Sequence, residues 1–414
     1  MEIQLPRGTK DWFGNDIEVR RYIENIEREL CRLFNIKEID TPVFEYTELF
    51  ERGVGDTTDI VQKEMYTFMD KGDRSITLKP EGTAVAVRAF IQNNMYANIQ
   101  PTKMFYIMPM FRYEKPQSGR LRQHHQFGVE YFGSTLPTAD VEVITLLIKL
   151  FSKLKLPDVK LHINSIGCKS CRREYNEKFI KYLEENKEHL CDTCRERMYK
   201  NPMRVIDCKN KQCKDIANGA PRILDYLDDE CKEHFEKLKR LLEVQNIPYE
   251  IDKDIVRGQD YYTKTVFEFI DRRGSTICGG GRYDNLVEEI GGKSIPAVGF
   301  GVGVERLILA LTEENTLPTI ENDIDIFIGY IGDKACEEVQ ILASHLRDNN
   351  ITVEVEHLNR SVKAQMKYAD KIGAKHVVIV GDTEIETGIV KLKNMNTGEE
   401  KEITLDKILQ TIYN

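Results

Sequence analysis

The stretch FRYEKPQSGRLRQHHQFGVEYFG, residues 111–133, indicates how this chain folds. Its first residues end the apolar run TKMFYIMPMFRYE, and its last residues, HQFGVEYFG, are again rich in aromatic and β-branched side chains. Both runs therefore predict strands. The residues between them include Pro, Gly and Ser and predict a loop. We predict an antiparallel hairpin with a long basic loop, and long loops in compact domains are usually functional or disordered.

The composition is that of an ordinary globular protein. The chain has 414 residues, 41% of them hydrophobic and 31% charged, which is long enough for two or three domains. The net charge of −9 argues against a generally DNA-coating surface, although local basic patches would suffice for a nucleic-acid partner. The start has no apolar signal core, and the longest uncharged apolar run is about half the ~20 residues of a membrane helix. We expect a cytoplasmic protein with no membrane segment.

The chain is predicted to contain two domains, divided near the polar stretch 314–323. Hairpins and runs of strands predict an α+β domain over residues 1–322 with a mainly antiparallel sheet. Within it, residues 168–225 are short, charged, Cys-rich and helical, and they predict an insertion. Beyond the boundary, strands alternate with helices and predict a small α/β domain over residues 323–414.

Several arginines fall at the ends of predicted elements or in the hairpin loop. They are Arg112, Arg120, Arg122, Arg257 and Arg306. Arginine offers fixed, bidentate donors for phosphate oxygens, and a helix start such as that at Arg306 favours anions. The group predicts a polyphosphate site, although any one member alone could be a solvated surface residue.

Polar residues follow one face of the second hairpin strand. Gln126, Gly128 and Glu130 share that face by period two, and Glu81 lies at the end of another predicted strand. If the face is covered, these side chains need a cationic or hydrogen-bonding ligand, because buried carboxylates are rarely unpaired. If it is open, they are merely exposed.

Two glycine runs, CGGGRYD (278–284) and GFGVGV (299–304), match neither the dinucleotide-binding fingerprint nor the P-loop. The sequence therefore argues against both of those nucleotide-binding classes. Glycines within strands usually mark a bulge or a close approach of another group to the backbone, and tight packing alone is the other interpretation.

Taken together, the motifs resemble those of histidyl-tRNA synthetases, which are class II aminoacyl-tRNA synthetases, over essentially the whole chain. The motifs are PRGTKDW (6–12), LKPEGTA (78–84), the hairpin 111–133, RGQDYYTKTVFEF (257–269), GGGRYD (279–284), GFGVGVERL (299–307) and QMKYADKIGA (365–374). The resemblance implies an antiparallel catalytic sheet flanked by helices, a helical insertion and a C-terminal α/β anticodon-binding domain, in a homodimer. It also implies that the chain activates L-histidine with ATP and Mg²⁺ and then esterifies histidine tRNA.

The resemblance also assigns residues to roles. It places ATP at Arg112, Glu114, Arg120 and Arg306, and it makes Arg112 and Arg257 catalytic. The histidine site would comprise Glu81, Gly82, Thr83, Gln126, Glu130, Arg257, Tyr261 and Tyr262. In this family Glu81, Thr83 and Gln126 hold the amino group, whereas Glu130 and Tyr262 read the imidazole nitrogens. One imidazole nitrogen donates and the other accepts, so a pocket that pairs both rejects non-pairing analogues.

Contacts to tRNA are expected at two places. The hairpin loop, from Gln117 to Arg122, would approach the acceptor end. In the C-terminal domain, Arg360, Lys363, Lys367, Lys371 and Lys375 recur at spacings of three or four, which predicts a basic stripe on one helix face. The stripe is either an ordinary solvated face or an RNA-backbone contact.

A different class of protein is the alternative. Synthetase-like paralogues serve as non-catalytic regulatory subunits of histidine biosynthesis, and they typically lose the arginine signature and the anticodon domain. This sequence keeps both.

Ten cysteines are too sparse for a secreted disulfide framework. Cys191, Cys194, Cys208 and Cys213 could form a zinc site if the chain turns at residues 201–202, and free thiols are the alternative. The pair Cys168 and Cys171 is expected ~20 Å away, at the far end of a helix. Four other cysteines, Cys231 among them, are interpreted as isolated thiols.

Arg257 raises a question of its own, because a buried strand does not need an arginine at its start. We predict that a strand begins just after Gly258 and that the guanidinium stabilises charge on the α-phosphate in the transition state. The structural alternative is an ion pair with a nearby acid such as Asp260 or Asp254.

Overall fold

The computed structural model describes residues 3–55, 58–319 and 324–413, and the chain forms two compact units, Met1–Pro318 and Thr319–Asn414. The predicted domain boundary at residues 322–323 lies outside the described residues. Within the described residues, no helix is long and apolar enough to cross a membrane. The α+β class predicted from the sequence is confirmed.

The first unit is built on an eight-stranded sheet, with a separate three-stranded sheet beside it. Its strands are β1 (Lys37–Glu38), β2 (Phe44–Tyr46), β3 (Tyr66–Met69), β4 (Ser75–Leu78), β5 (Thr102–Phe111), β6 (Gln123–Phe132), β7 (Lys160–Ser165), β8 (Glu250–Ile251), β9 (Thr263–Ile270), β10 (Thr276–Arg282) and β11 (Ala297–Gly303). The large sheet has the order β1-β5-β6-β11-β10-β9-β7-β8, and the small sheet has the order β2-β4-β3. The six central strands of the large sheet are antiparallel. At the two edges, the two-residue strand β1 pairs in parallel with β5, and the two-residue strand β8 pairs in parallel with β7.

The predicted hairpin is confirmed. Strands β5 and β6 pair along their whole length, from Thr102 opposite Phe132 to Phe111 opposite Gln123. Buried aromatic and β-branched side chains such as Phe127 and Val129 explain why this segment is extended.

Helices cover this sheet and form the insertion. In the first unit they are α1 (Asn15–Leu33), α2 (Thr47–Val54), α3 (Thr83–Gln92), α4 (Pro137–Lys153), α5 (Lys169–Glu185), α6 (Asp192–Lys200), α7 (Lys211–Asn218), α8 (Asp229–Val244), α9 (Leu286–Glu289) and α10 (Val304–Glu313). The predicted insertion contains α5, α6 and α7. Its buried apolar residues, such as Phe179 and Met198, belong to the same core cluster as Val266 in β9.

The second unit is a small α/β fold with a five-stranded sheet in the order β13-β12-β14-β15-β16. Its elements are β12 (Ile326–Tyr330), α11 (Asp333–Asp348), β13 (Val353–Val355), α12 (Val362–Lys371), β14 (His376–Val380), α13 (Asp382–Thr387), β15 (Ile389–Asn394), β16 (Glu400–Thr404) and α14 (Ile408–Tyr413). The predicted alternation of strands and helices is confirmed. The sequence interpretation missed β16, whose residues are polar and partly exposed, so apolar periodicity is weak there.

The predicted start of the strand after Gly258 is wrong. Strand β9 begins at Thr263, so the adjacent residues Tyr261 and Tyr262 precede it. The backbone of residues 258 and 260 forms hydrogen bonds outside the large sheet. The Asp260 amide donates to the Val54 carbonyl at 3.3 Å, and Arg204 donates to the Gly258 carbonyl at 2.5 Å. We call residues 257–262 the arginine–tyrosine loop.

Candidate active site

An open pocket of about 510 Å³ lies over the central strands of the large sheet. Most of the residues predicted for ATP and histidine line it: Glu81, Thr83, Arg112, Glu114, Arg120, Gln126, Arg257, Tyr261, Tyr262 and Arg306. Glu130 is not in that lining, because it is fully buried below. The pocket has a carboxylate end, built around Glu81 and Glu130, and an arginine end, built around Arg112, Arg120 and Arg306.

Glycines in β10 and β11 make room for these side chains. A Cβ at Gly301 would collide with the amide of Gln126, and one at Gly299 would collide with the carboxylate of Glu130 on the neighbouring strand. Likewise, a Cβ at Gly279 would overlap the guanidinium of Arg257. The close approach suggested by the glycine runs is therefore made by polar side chains of the pocket.

At the carboxylate end, Glu130 accepts hydrogen bonds from three hydroxyl groups. Thr83 donates at 2.8 Å and Tyr106 at 3.1 Å to Oε1, and Tyr283 donates to Oε2. Burial nevertheless raises the pKa of Glu130 to about 8. The carboxylate is held in place by the protein and titrates near neutrality.

Glu81 is anchored at the start of α3. Its carboxylate accepts the backbone amides of Thr83 at 3.0 Å and Ala84 at 2.7 Å, and the Tyr261 hydroxyl lies 3.5 Å away. Burial raises the pKa of Glu81, although the two amides act in the opposite direction. The bonds fix one carboxylate beside the pocket, next to Thr83. Gly82 is required here because a Cβ would collide with the ring of Tyr106.

Two residues of this end were missed from the sequence. Tyr106 comes from β5, and Tyr283 follows β10 within the motif GGGRYD. Tyr283 could have been found from that motif, whereas Tyr106 sits in an apolar run and gives no signal. Arg282 of the same motif is fully buried and pairs with Asp140 at 2.9 Å, so its role is to tie β10 to α4.

At the arginine end, like charges lie close together. Arg112 donates to the Pro80 carbonyl at 2.7 Å, and Arg120 pairs with Glu114 at 3.2 Å. Burial and the neighbouring Arg120 guanidinium lower the pKa of Arg306. A bound polyanion would reduce the repulsion between these guanidinium groups, as expected of a phosphate-binding site.

Arg257 lies between the two ends, where its Nη1 pairs with Glu268 of β9. Burial would lower the pKa of Arg257, but the Glu268 carboxylate raises it. An ion pair with a nearby acid, the structural alternative, is therefore present, but its acid is Glu268. The two acids named from the sequence have other partners, because Asp260 bonds with Asn201 and Arg204, and Asp254 pairs with Arg222.

Three polar atoms of the pocket lining have no hydrogen-bond partner. Arg257 Nε, Gln126 Oε1 and Gln259 Oε1 are all buried and unpaired among the described residues. A buried unpaired donor or acceptor costs about 1–3 kcal/mol. Their presence indicates that a ligand completes the site.

Comparison with known proteins identifies the family. A family model described as histidyl-tRNA synthetase matches residues 16–307, and a model described as an anticodon-binding domain matches residues 325–414. The chain belongs to the histidyl-tRNA synthetase family. The histidine–tRNA ligase of Clostridium perfringens is 54% identical over 98% of both chains.

Solved structures agree with this family membership. The crystal structure of apo histidyl-tRNA synthetase from S. aureus is 41% identical, covers all of both chains and superposes with a TM-score of 0.86. An ATP phosphoribosyltransferase regulatory subunit/histidyl-tRNA synthetase from Bacillus halodurans matches at 22% identity and a TM-score of 0.67, over 92% of this chain. That second match shows the fold alone.

The hairpin loop of this synthetase carries the residues predicted to meet tRNA. Gln117 lines a neighbouring pocket of about 380 Å³ together with Arg120 and Arg306. Arg122, in contrast, stacks over the ring of Tyr113 at 3.9 Å and donates to the Glu114 carbonyl at 3.3 Å. The structure therefore places Arg122 in an internal contact of the loop.

The basic stripe of the anticodon-binding domain is shorter than predicted. Lys363, Lys367 and Lys371 lie on α12, whereas Arg360 precedes the helix and Lys375 follows it. Arg360 pairs with the buried Glu356 at 2.9 Å, and Lys375 pairs with Asp325 at 3.0 Å. The prediction of one five-residue helix face is wrong because the helix begins at residue 362 and ends at residue 371.

The cysteines of the insertion come together in two groups. The ligand atoms of Cys191, Cys194, Cys208 and Cys213 all lie within 4.8 Å of one another, and two of the sulfurs, those of Cys191 and Cys208, are 3.9 Å apart. These are the four cysteines that the sequence suggested as a possible zinc site. Cys231 is not isolated as expected, because it lies in a second group with Cys168, Cys171 and Asp228.

Proposed function

We propose that this chain is a histidine–tRNA ligase that activates L-histidine with ATP and transfers it to the 3′ end of histidine tRNA. The observation that carries the proposal is one pocket with a cationic end for a polyphosphate and a carboxylate end for an amine and an imidazole. The histidine–tRNA ligases that match the full chain support it.

Histidine- and ATP-dependent pyrophosphate exchange tests the first half-reaction, and charging of histidine tRNA tests the second. A folded chain that binds histidine but gives no exchange would instead be a regulatory paralogue. Truncation after residue 322 should spare the exchange and abolish charging, because every proposed ATP and histidine contact precedes that point.

ATP binds at the arginine end. Arg112, Arg120 and Arg306 contact the phosphates, and Glu114 orients Arg120 through its ion pair. The guanidinium groups hold the polyphosphate in a fixed geometry because each offers a planar fork of donors.

The Mg²⁺ that accompanies ATP in class II synthetases fits the carboxylates of Glu64 and Glu114. Both line the arginine end, and burial together with the Glu114 charge raises the pKa of Glu64. Carboxylate oxygens are the ligands that this ion prefers, and its charge would offset the repulsion between them.

Histidine binds at the carboxylate end. Glu81, Thr83 and Gln126 receive the amino group, for which Gln126 Oε1 is an unpaired buried acceptor. Glu130 and Tyr262 read the imidazole, and Gly82 and Tyr261 complete the wall. The hydroxyls of Thr83, Tyr106 and Tyr283 hold Glu130 in position, so that recognition needs little reorganisation.

Arg257 assists adenylate formation. When the histidine carboxylate attacks the α-phosphorus, negative charge grows on the non-bridging oxygens, and pyrophosphate leaves. The unpaired Nε of Arg257 supplies a donor for that charge, while Glu268 fixes the opposite side of the guanidinium.

Contacts to tRNA come from both units. Gln117 and Arg122 of the hairpin loop serve the acceptor end, with Arg122 acting by keeping the loop in shape. Lys363 and Lys367 are exposed on α12 and face the RNA backbone, together with Arg360.

The chain forms a homodimer through the small sheet. Phe44, Tyr46, Phe68 and Met69 on its two outer strands are each about half exposed, which is unusual for a group of large apolar side chains. Substituting Phe44 and Phe68 by Ser should give monomers in sedimentation experiments.

The thiols of Cys191, Cys194, Cys208 and Cys213 hold a structural zinc ion within the insertion. Four sulfurs at this spacing fit a tetrahedral thiolate site. Elemental analysis of the purified protein tests the assignment.

A further inference from the structure

We propose that Cys168, Cys171, Asp228 and Cys231 bind a second structural zinc ion at the base of the insertion. One ligand atom from each residue lies within 4.8 Å of all the others. Cys171 and Cys231 are buried. This site is independent of the zinc proposed above, because none of its four residues belongs to that cluster.

Two helix starts that face each other build the cluster. Cys168 is the N-cap of α5, and Cys171 is the third residue of that helix. Asp228 is the N-cap of α8, and Cys231 is again the third residue. Cys191 and Cys194 stand in the same relation to α6, so the local geometry of the first cluster is repeated twice here.

The separation of two of the thiols suits a tetrahedral ion. The sulfurs of Cys168 and Cys171 are 3.6 Å apart, and Cys168 Sγ lies 3.0 Å from Asp228 Oδ2. Zinc–sulfur bonds of about 2.3 Å give a tetrahedral edge of about 3.8 Å, which is close to the first value. The three cysteines are free thiols, so a disulfide does not explain their approach.

The backbone is shaped to bring the ligands together. Gly167 has a φ of +64°, and the turn it makes sets Cys171 directly against it. Asp228 Oδ1 accepts the Cys231 amide at 2.8 Å, which orients the carboxylate and leaves Oδ2 for the thiols. The Asp228 amide points at Cys171 Sγ at 3.2 Å, a contact that favours a thiolate.

Such an ion would link the segment where the insertion begins to the start of α8, which follows it. The chain leaves the large sheet after β7 at Cys168 and returns through α8, which begins at Asp229. Between those points the insertion carries Arg204, which holds the arginine–tyrosine loop through Gly258 and Asp260. Zinc at the base would thus keep Arg204 in reach of the loop.

Metal content per chain tests the proposal. We expect about two equivalents of zinc in the purified full-length protein, one per cluster. Cys231→Ser and Cys168→Ala should each lower this to about one, and Cys194→Ala should remove the other equivalent. Cys336→Ser, a thiol of the second unit outside both clusters, should leave about two.

Asp228→Asn gives a sharper test that does not depend on losing a thiol. Asparagine caps a helix as well as aspartate does, so α8 stays intact, but the anionic ligand is lost. We expect zinc at the second site to bind at least about tenfold more weakly, as measured by competition with a chelator. Asp228→Cys should keep two equivalents and raise the thiolate-to-metal charge-transfer absorbance of the cobalt-substituted protein.

Two results would overturn the proposal. One is wild-type protein with about one equivalent or less, all of it lost in Cys194→Ala. The other is an unchanged zinc content in the Cys168, Asp228 and Cys231 variants.

Discussion

The two ends of the pocket are held in opposite ways. At the carboxylate end, Glu81 and Glu130 are almost completely buried, and the protein's own amides and hydroxyls already bond to them. At the arginine end, Arg120 has a side chain that is 42% exposed, and three other guanidinium groups, with burial, lower the pKa of Arg306 more than Glu114 raises it.

The difference follows from what each end has to do. A pocket that distinguishes an imidazole from its isosteres needs polar groups that are fixed before the ligand arrives, because a misplaced group costs as much as a missing one. A site for a polyphosphate gains from positive charge that is underpaired until the anion binds. Substitutions at the two ends should therefore change different kinetic constants.

Arg257, between the ends, should show the largest effect. Arg257→Ala removes a donor aimed at the transition state, and we expect adenylate formation to slow by ~10²–10³ with little change in ATP affinity. Arg257→Lys should rescue only partly, because a point charge does not reproduce the fork. Single-turnover measurement of adenylate formation checks this.

Arg222→Ala is the matched control for Arg257. Arg222 also pairs with a carboxylate, that of Asp254, but it lies outside the pocket lining. Arg222→Ala should change the rate of adenylate formation by less than about threefold, as expected for an ion pair near the surface. If Arg257→Ala forms adenylate at the normal rate but melts early, then the pair with Glu268 is purely structural.

At the carboxylate end, Glu130→Gln should raise the KM for histidine by about 10- to 100-fold, the range expected when a buried hydrogen-bond partner of the ligand is lost. The KM for ATP should stay within about twofold. Pyrophosphate exchange at varied histidine gives the first value, and exchange at varied ATP gives the second. Glu142→Gln, a substitution of a partly exposed partner of Lys103, is the control. A rise in the KM for ATP of equal size would mean that the ends are not separate.

The same variant should alter how stability depends on pH. The pKa of Glu130 is about 8 in the folded protein against a reference value of 4.5, so the folded state binds the extra proton between these values. Unfolding free energy should therefore fall as pH rises through that window, by at most about 1.4 kcal/mol per pH unit. Glu130→Gln removes this contribution, and urea unfolding of both proteins from about pH 5 to about pH 8 measures the difference. If the unfolding free energies of the two proteins change with pH in the same way, Glu130 is not the group that binds the extra proton.

The sequence predicted the hairpin, and ten of the twelve residues that it assigned to ATP and histidine line the pocket, for two different reasons. The hairpin follows from local alternation in β5 and β6, which needs no knowledge of the rest of the chain. The pocket residues were found because the motifs match those of a family, and the resemblance transfers roles that spacing alone does not contain.

The features that the sequence did not predict depend on contacts between segments that are far apart in the chain. The hydroxyls around Glu130 come from three separate elements, and Tyr106 looks like any other aromatic residue of a strand. The start of β9 was misplaced because Arg204, in the insertion, bonds to the backbone that the alternation would have put in the sheet. Cys231 looked isolated because only the fold brings the starts of α5 and α8 together.

The smallest effect is expected at the exposed side of the arginine end. Arg120→Ala should raise the KM for ATP by about 3- to 10-fold at low salt, with kcat within about twofold. The increase should shrink as ionic strength approaches about 0.5 M, because a half-exposed charge is screened over a few ångströms at such concentrations. Arg273→Ala is a suitable control, since Arg273 is equally exposed in the adjoining pocket but pairs with Asp271 and Glu313.

The dependence on salt decides what Arg120 contributes. An effect that vanishes in salt means that Arg120 attracts the phosphates through its charge, as a partly solvated group should. An effect that persists means that phosphate binding buries Arg120 and that the arginine end closes over ATP, so that both ends of the pocket would then work by fixed contacts. In that case the contrast between the ends would be lost once ATP binds, and the backbone at Gly119 beside Arg120, with a φ of +71°, would be the position that moves.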